Sequence, residues 1–104
     1  MVYSAQQIKF EFLSYIKEFG ERPEEWLVGC AVDAQEAMFE HEKVDRERDI
    51  WVWKPALSPA AARIVFRYLT EQLHAQAAGS SAQGANVFLY RRGPFTGAKL
   101  GANP

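Results

Sequence analysis

Residues 25–44, EWLVGCAVDAQEAMFEHEKV, decide how this chain is read. Trp26-Leu27-Val28-Gly29 reads as a strand closing on glycine, within an apolar run from Trp26 to Val32. The period of so short a run does not separate a buried strand from a helical segment, but Gly29 and the following Asp33 favour the strand. Asp33 then opens a helix with Glu36 at its third position, and Ala37, Met38 and His41 are set to face inward. This helix is expected to end before Val44. The alternating charges of Asp45-Arg46-Glu47-Arg48-Asp49 predict a solvated connection.

On the N-terminal side, Ser4 followed by Gln7 forms a capping-box pattern, in which each side chain satisfies a backbone N–H at a helix start. Ile8, Phe12, Ile16 and Phe19 recur at helical spacing, and Gly20 is placed to end the helix in a left-handed conformation. A helix is therefore predicted over residues 4–19, with residues 21–25 as its exit loop. On the C-terminal side, Ile50-Trp51-Val52-Trp53 alternates aliphatic and aromatic side chains, the period of a strand with large groups on both faces. Leu57-Ser58-Pro59 supplies a cap and a first-turn proline for a helix running to about Leu73, with Ile64, Val65, Tyr68 and Leu69 as its apolar stripe. Residues 75–85 carry Gly79, Ser80, Ser81 and Gly84 and no large apolar side chain, so they read as a mobile loop. Val87-Phe88-Leu89-Tyr90 gives a last strand.

These elements predict one α/β domain over residues 1–92, a three-stranded mixed or antiparallel sheet flanked by helices, followed by a flexible tail over 93–104. The 104 residues leave room for one modest core, and a composition 48% hydrophobic and 24% charged excludes disorder along the whole length. Residues 1–50 hold twelve acids against six bases and the remainder one acid against six bases, but a sheet that intermixes the halves would dissolve this asymmetry. No apolar stretch approaches the roughly 18 residues of a membrane span, and no basic segment precedes an apolar run at the N-terminus, so a cytoplasmic protein is expected. Cys30 has no partner for an internal disulfide and reads as a buried small side chain.

The order of a strand ending at Leu27-Val28-Gly29, an Asp33-led helix ending at Glu40-His41, a strand and helix over Trp51 to Val65, and an aromatic strand after a Gly/Ser loop resembles the GIY-YIG domain. That fold is best known from DNA-cutting enzymes, and the resemblance covers about residues 25–91. It also implies where chemistry should sit. Leu27 stands in place of the second-motif tyrosine, Ala37 in place of the helix arginine and Phe66 near the place of the metal-binding glutamate, while the first-motif tyrosine has no counterpart. Phosphodiester hydrolysis needs a group to activate water, positive charge against the transition state and a hard metal held by carboxylate oxygen. Leucine, alanine and phenylalanine supply none of these, so no catalytic residue, metal or other cofactor is expected.

Binding is the use left to such a scaffold. Trp51, Trp53 and Lys54 on one strand, and Tyr90, Arg91 and Arg92 at the end of another, form the candidate surface. Aromatic and basic groups together could stack on bases at about 1–3 kcal/mol each and contact phosphate, or they could serve the core and its rim. A protein partner or a second copy of the chain is favoured over nucleic acid, with no membrane partner. The competing reading is a metal-dependent nuclease whose groups have moved to Glu36, Glu40, His41 and Tyr90. His41 and His74 show no metal-ligand spacing with Cys30, and no Gly-x-Ser-x-Gly elbow or phosphate-cradling loop is present.

Overall fold

The computed structural model describes residues 1–20 and 22–97. The first helix, α1 (Ala5–Phe19), starts where its cap requires. Ser4 Oγ accepts from the Gln7 backbone N–H at 3.2 Å, and the Gln7 side chain accepts from the Ser4 N–H at 2.9 Å. Ile8, Phe12 and Ile16 are buried, whereas Phe19 lies at the exposed margin of the stripe. The Gly20 N–H closes on the Ile16 carbonyl at 2.8 Å, but Gly20 is extended (φ 165°) and not left-handed. Its contribution is space, since a Cβ there would approach Arg91 Nη1 to 3.2 Å. Of the expected exit loop, Pro23–Glu25 forms a single 3-10 turn and Glu21 lies outside the described residues.

Strand β1 (Trp26–Ala31) runs through Gly29 instead of closing on it. Glycine is needed there because the Phe88 ring lies across it: a Cβ would sit 2.5 Å from Phe88 Cζ. Asp33 caps as expected, its Oδ1 accepting from the Glu36 N–H at 3.0 Å. The helix it opens is π-helical over Glu36–His41. Its inward line is Ala34, Ala37, Met38 and then Glu42, which leaves His41 exposed, contrary to the expectation from spacing. Lys43 ends it in the left-handed region (φ 63°), and the Val44 N–H reaches back to the Met38 carbonyl at 2.9 Å. The charged connection folds into a turn in which Asp45 Oδ1 accepts from the Arg48 N–H at 2.9 Å and Asp45 Oδ2 from Arg48 Nη2 at 2.8 Å.

Strand β2 (Ile50–Pro55) precedes α2 (Pro59–Arg67), where Ser58 Oγ accepts from the Ala61 N–H at 3.1 Å. The helix continues as a π-helical turn over Tyr68–Gln72 and so reaches the expected end. Ala62, Val65 and Leu69 face the core, but Ile64, expected in the stripe, is half exposed because Ala62 takes the inward place at that turn. His74 (φ 66°) then repeats the Lys43 ending, with the Ala75 N–H on the Leu69 carbonyl at 3.0 Å.

The expected loop over 75–85 is the main correction. It contains a fourth strand, β3 (Gln76–Ala82), paired parallel to β1 with a bulge between the Val28–Ala77 and Cys30–Ala82 pairs. Its small side chains give no strand signal, and it is the backbone of β1, together with burial of Ala75 and Ala78, that holds it. The last strand, β4 (Asn86–Arg91), is central, antiparallel to both β1 and β2, so the sheet order is β2-β4-β1-β3 and the sheet is four-stranded and mixed.

Alternation along the strands divides the core into two layers. Trp26, Val28, Cys30, Val87 and Leu89 pack under α1 and α2. Leu27, Phe88 and Tyr90 pack on the opposite side with Ala34, Ala37, Met38 and Val44. Each large apolar side chain buried this way contributes about 1.5–3 kcal/mol. Of the expected tail, residues 98–104 lie outside the described residues, while the stretch before them folds back: Thr96 Oγ1 donates to Asp49 Oδ2 at 2.8 Å and the Gly97 N–H donates to the Lys43 carbonyl at 2.9 Å. Among the described residues no helix is long and apolar enough to cross a membrane.

Candidate functional site

Strand alternation places the six candidate residues on different sides of the sheet. Trp51, Trp53 and Tyr90 join the layer around Met38 and Phe88, while Lys54 and Arg91 alternate to the side of α1. Lys54 Nζ sits 4.9 Å from the centre of the Tyr3 ring, and Arg91 donates to the Phe19 carbonyl and pairs with Glu25 at 3.8 Å. Both cations therefore fasten α1 and the N-terminal residues to the sheet.

The tryptophans are similarly engaged. Trp51 Nε1 donates to the Arg46 carbonyl at 2.9 Å, its ring meets Phe39 edge-on at 5.0 Å, and the Arg46 guanidinium covers Phe39 at 4.0 Å. The outer edge of β2 is closed as well, because Tyr15 OH donates to the Trp51 carbonyl at 2.9 Å and the Tyr3 N–H donates to the Pro55 carbonyl at 2.8 Å. A strand edge covered this way is a poor template for an added strand. The exposed groups on this side are of both signs: the Arg46 guanidinium lies on Phe39, and Glu36 and Glu40 belong to the π helix that carries Phe39.

One polar cluster does assemble, and only part of it stood out in the sequence. Tyr90 is buried, and its OH donates to Glu42 Oε1 at 2.6 Å with Arg92 beside it. The other carboxylate oxygen of Glu42 faces the bare Cα of Gly79 on β3, 4.0 Å from where a Cβ would be. Burial, and then the Glu42 carboxylate, push the Tyr90 phenol well above its ordinary range, outweighing Arg92. At neutral pH the group is a fixed hydrogen-bond donor, not a phenolate. Glu42, missed in favour of its neighbours Glu40 and His41, lies four residues after buried Met38, and that helical spacing was the available signal. Glu36, Glu40 and His41 are exposed and do not join the cluster.

An unfolded tyrosine ionises near pH 10. Between that point and the higher folded value the native state holds one more proton, so stability is fully present below about pH 10 and falls as pH rises beyond it. Tyr90→Phe is expected to lose about 1.5–3 kcal/mol at neutral pH, the usual worth of a hydrogen bond to a charged group. It should also flatten the alkaline loss in a urea series, leaving a residue from Tyr15, whose phenol is likewise raised by burial and Glu18.

Cys30 is buried, its Sγ lies 3.5 Å from the Ala62 carbonyl, and burial pushes its thiol up to about 11. This is an unreactive packing position. Among the described residues no group of three His, Cys, Asp or Glu side chains is placed to hold a metal ion.

Exposed apolar side chains also lie on the outer face of the helical layer. Phe10 is 71% exposed and Ile64 51%. They border adjoining depressions that share Lys9 and Tyr68, with Leu13 alongside. Phe10 falls two residues off the Ile8–Phe12 stripe, so its exposure was legible from spacing. The chain matches no family model, no curated protein and no solved structure.

Proposed function

We propose that this chain is a non-catalytic binding module on a GIY-YIG-like scaffold, and that its partner is a protein. The observation that carries the reading is the position of the three residues standing where the resemblance puts hydrolytic groups. Leu27 and Ala37 are buried in one core layer, and Phe66 packs against the other, across the sheet. They make apolar contacts, and they lie on opposite sides of the sheet, so groups there would not converge on one scissile bond. A protein partner is favoured by the exposed apolar side chains Phe10 and Ile64 on α1 and α2.

Anisotropy titrations with labelled single- and double-stranded DNA and RNA, from low to physiological salt, test the choice of partner. Little binding at micromolar protein is expected. Tight binding that falls steeply with added salt, as counterion release requires, would instead make nucleic acid the partner.

A second reading, a divergent nuclease, draws on the meeting of Tyr90, Glu42 and Arg92, since a phenol, a carboxylate and a guanidinium are groups that such chemistry uses. The burial of the phenol, and its donation inward, favour a structural clamp between the π helix and the sheet.

A further inference from the structure

Beyond β4 the Arg92 N–H donates to the Glu25 carbonyl at 3.3 Å, which fixes the chain beside the start of β1. Residues 93–97 then turn back over the turn at 45–49, and one hydroxyl organises the contact. Thr96 Oγ1 accepts from the Gly93 N–H at 3.0 Å and donates to Asp49 Oδ2 at 2.8 Å. On either side of it the Gly97 N–H donates to the Lys43 carbonyl at 2.9 Å, and the Arg48 guanidinium lies 4.2 Å from the centre of the Phe95 ring. A recess of about 140 Å³ remains beneath, lined by Arg48, Ile50 and Arg91 and by the returning Gly93, Pro94 and Phe95.

The two sides of this contact are unequal. The 45–49 turn supports itself: Asp45 Oδ2 accepts from Arg48 Nη2 at 2.8 Å, and Asp49 Oδ2 accepts from the Asp45 N–H at 2.9 Å. None of residues 93–97 is buried, since Pro94 and Phe95 are exposed and Gly93, Thr96 and Gly97 half-buried. A segment held by accessible polar contacts, with little apolar surface to expose, opens at a far lower free energy than the core on which it lies. Gly93, directly after the anchored Arg92, has the backbone freedom of a hinge.

We infer that residues 93–97 form a latched strap, closed by the Thr96 hydroxyl on Asp49, which swings about Gly93 while the sheet stays folded and uncovers the wall formed by Arg48, Ile50 and Arg91. The latch is a hydrogen bond to a charged group. Releasing it leaves Asp49 on the Asp45 N–H, so the strap lifts without dismantling its seat. The device goes beyond the binding-module reading and does not depend on which partner that module takes.

Amide hydrogen exchange of the full chain, followed by NMR across low urea concentrations, tests it. Strap closure protects the Gly97 amide, and the central strand protects that of Leu89. Gly97 should exchange about a hundredfold faster than Leu89 or more, at a rate indifferent to urea, whereas Leu89 should speed up with urea because its opening exposes core surface. Thr96→Val, which keeps the shape and removes the hydroxyl, should speed Gly97 exchange by about tenfold or more, as loss of a hydrogen bond to a charged group does. Thr96→Ser should stay near the wild-type rate. An unprotected Gly97 amide in the wild-type chain, a Gly97 rate that rises with urea in step with Leu89, or a Gly97 rate unchanged by Thr96→Val overturns the inference. Each of these leaves the non-catalytic reading intact, since that reading fails on cleavage.

Discussion

Gly84→Ala is expected to remove about 3–5 kcal/mol of stability, a large part of the 5–15 kcal/mol typical of a domain. Gly84 links β3 to β4 with φ +122°, a conformation that side chains rarely adopt. The chain there passes directly over the end of β1: a Cβ would lie 2.1 Å from the Ala31 carbonyl carbon and 2.4 Å from the Val32 nitrogen. Those atoms are backbone and cannot turn aside. Asn86 Nδ2 donates to the Val32 carbonyl at 2.7 Å just beyond, so displacing the crossing also breaks the junction of β1 with β4. Gly97→Ala is the control, because Gly97 also has positive φ (+77°) but nothing lies within 4 Å of its added Cβ. It should cost about 1 kcal/mol. Urea midpoints compare the two, and equal losses would show that the crossing over β1 is not close.

Ala37→Arg is the second large effect, and it addresses function. In a GIY-YIG enzyme the resemblance would place arginine here, yet Ala37 is 5% exposed and packed in the layer of Leu27, Met38, Phe88 and Tyr90. A guanidinium cannot shed its charge at accessible pH, so it must either enter that layer unpaired or displace the π helix. A loss of about 3–5 kcal/mol is expected, read from thermal or urea unfolding followed by circular dichroism, with no cleavage activity gained. If the variant stays within about 1 kcal/mol of wild type, the layer is open at Ala37 and a charged group there would be tolerated.

The elements with strong local chemistry were legible. Ser4 with Gln7, Ser58 with Pro59, and Asp33 each fix a helix start through side-chain bonds to nearby backbone, which depend on a few consecutive residues only. Strand β3 was not legible, because Gln76, Ala77 and Gly79 carry no strand preference and are held by pairing with β1, about fifty residues away in sequence. The helix ends before Val44 and near Leu73 were legible too, although Lys43 and His74 take the left-handed conformation there without the usual glycine. For the site, Trp53 and Lys54 are adjacent in a strand and must point to opposite faces, as must Tyr90 and Arg91. The separation of the aromatic-basic surface was thus written in the period of two. What required the fold was the meeting of Tyr90 with Glu42, since the spacing of Glu42 from Met38 turns the carboxylate inward but does not say which residue of the sheet it meets.

The account stands on the apolar contacts of Leu27, Ala37 and Phe66, and the most direct measurement is cleavage of single- and double-stranded DNA and RNA by the purified full chain in magnesium or manganese. Intact substrate, indistinguishable from a heat-inactivated control, is the predicted result. Cleavage above that control, abolished by Glu42→Gln and by Tyr90→Phe in variants that remain folded, would contradict it and make the Tyr90–Glu42–Arg92 cluster an active centre.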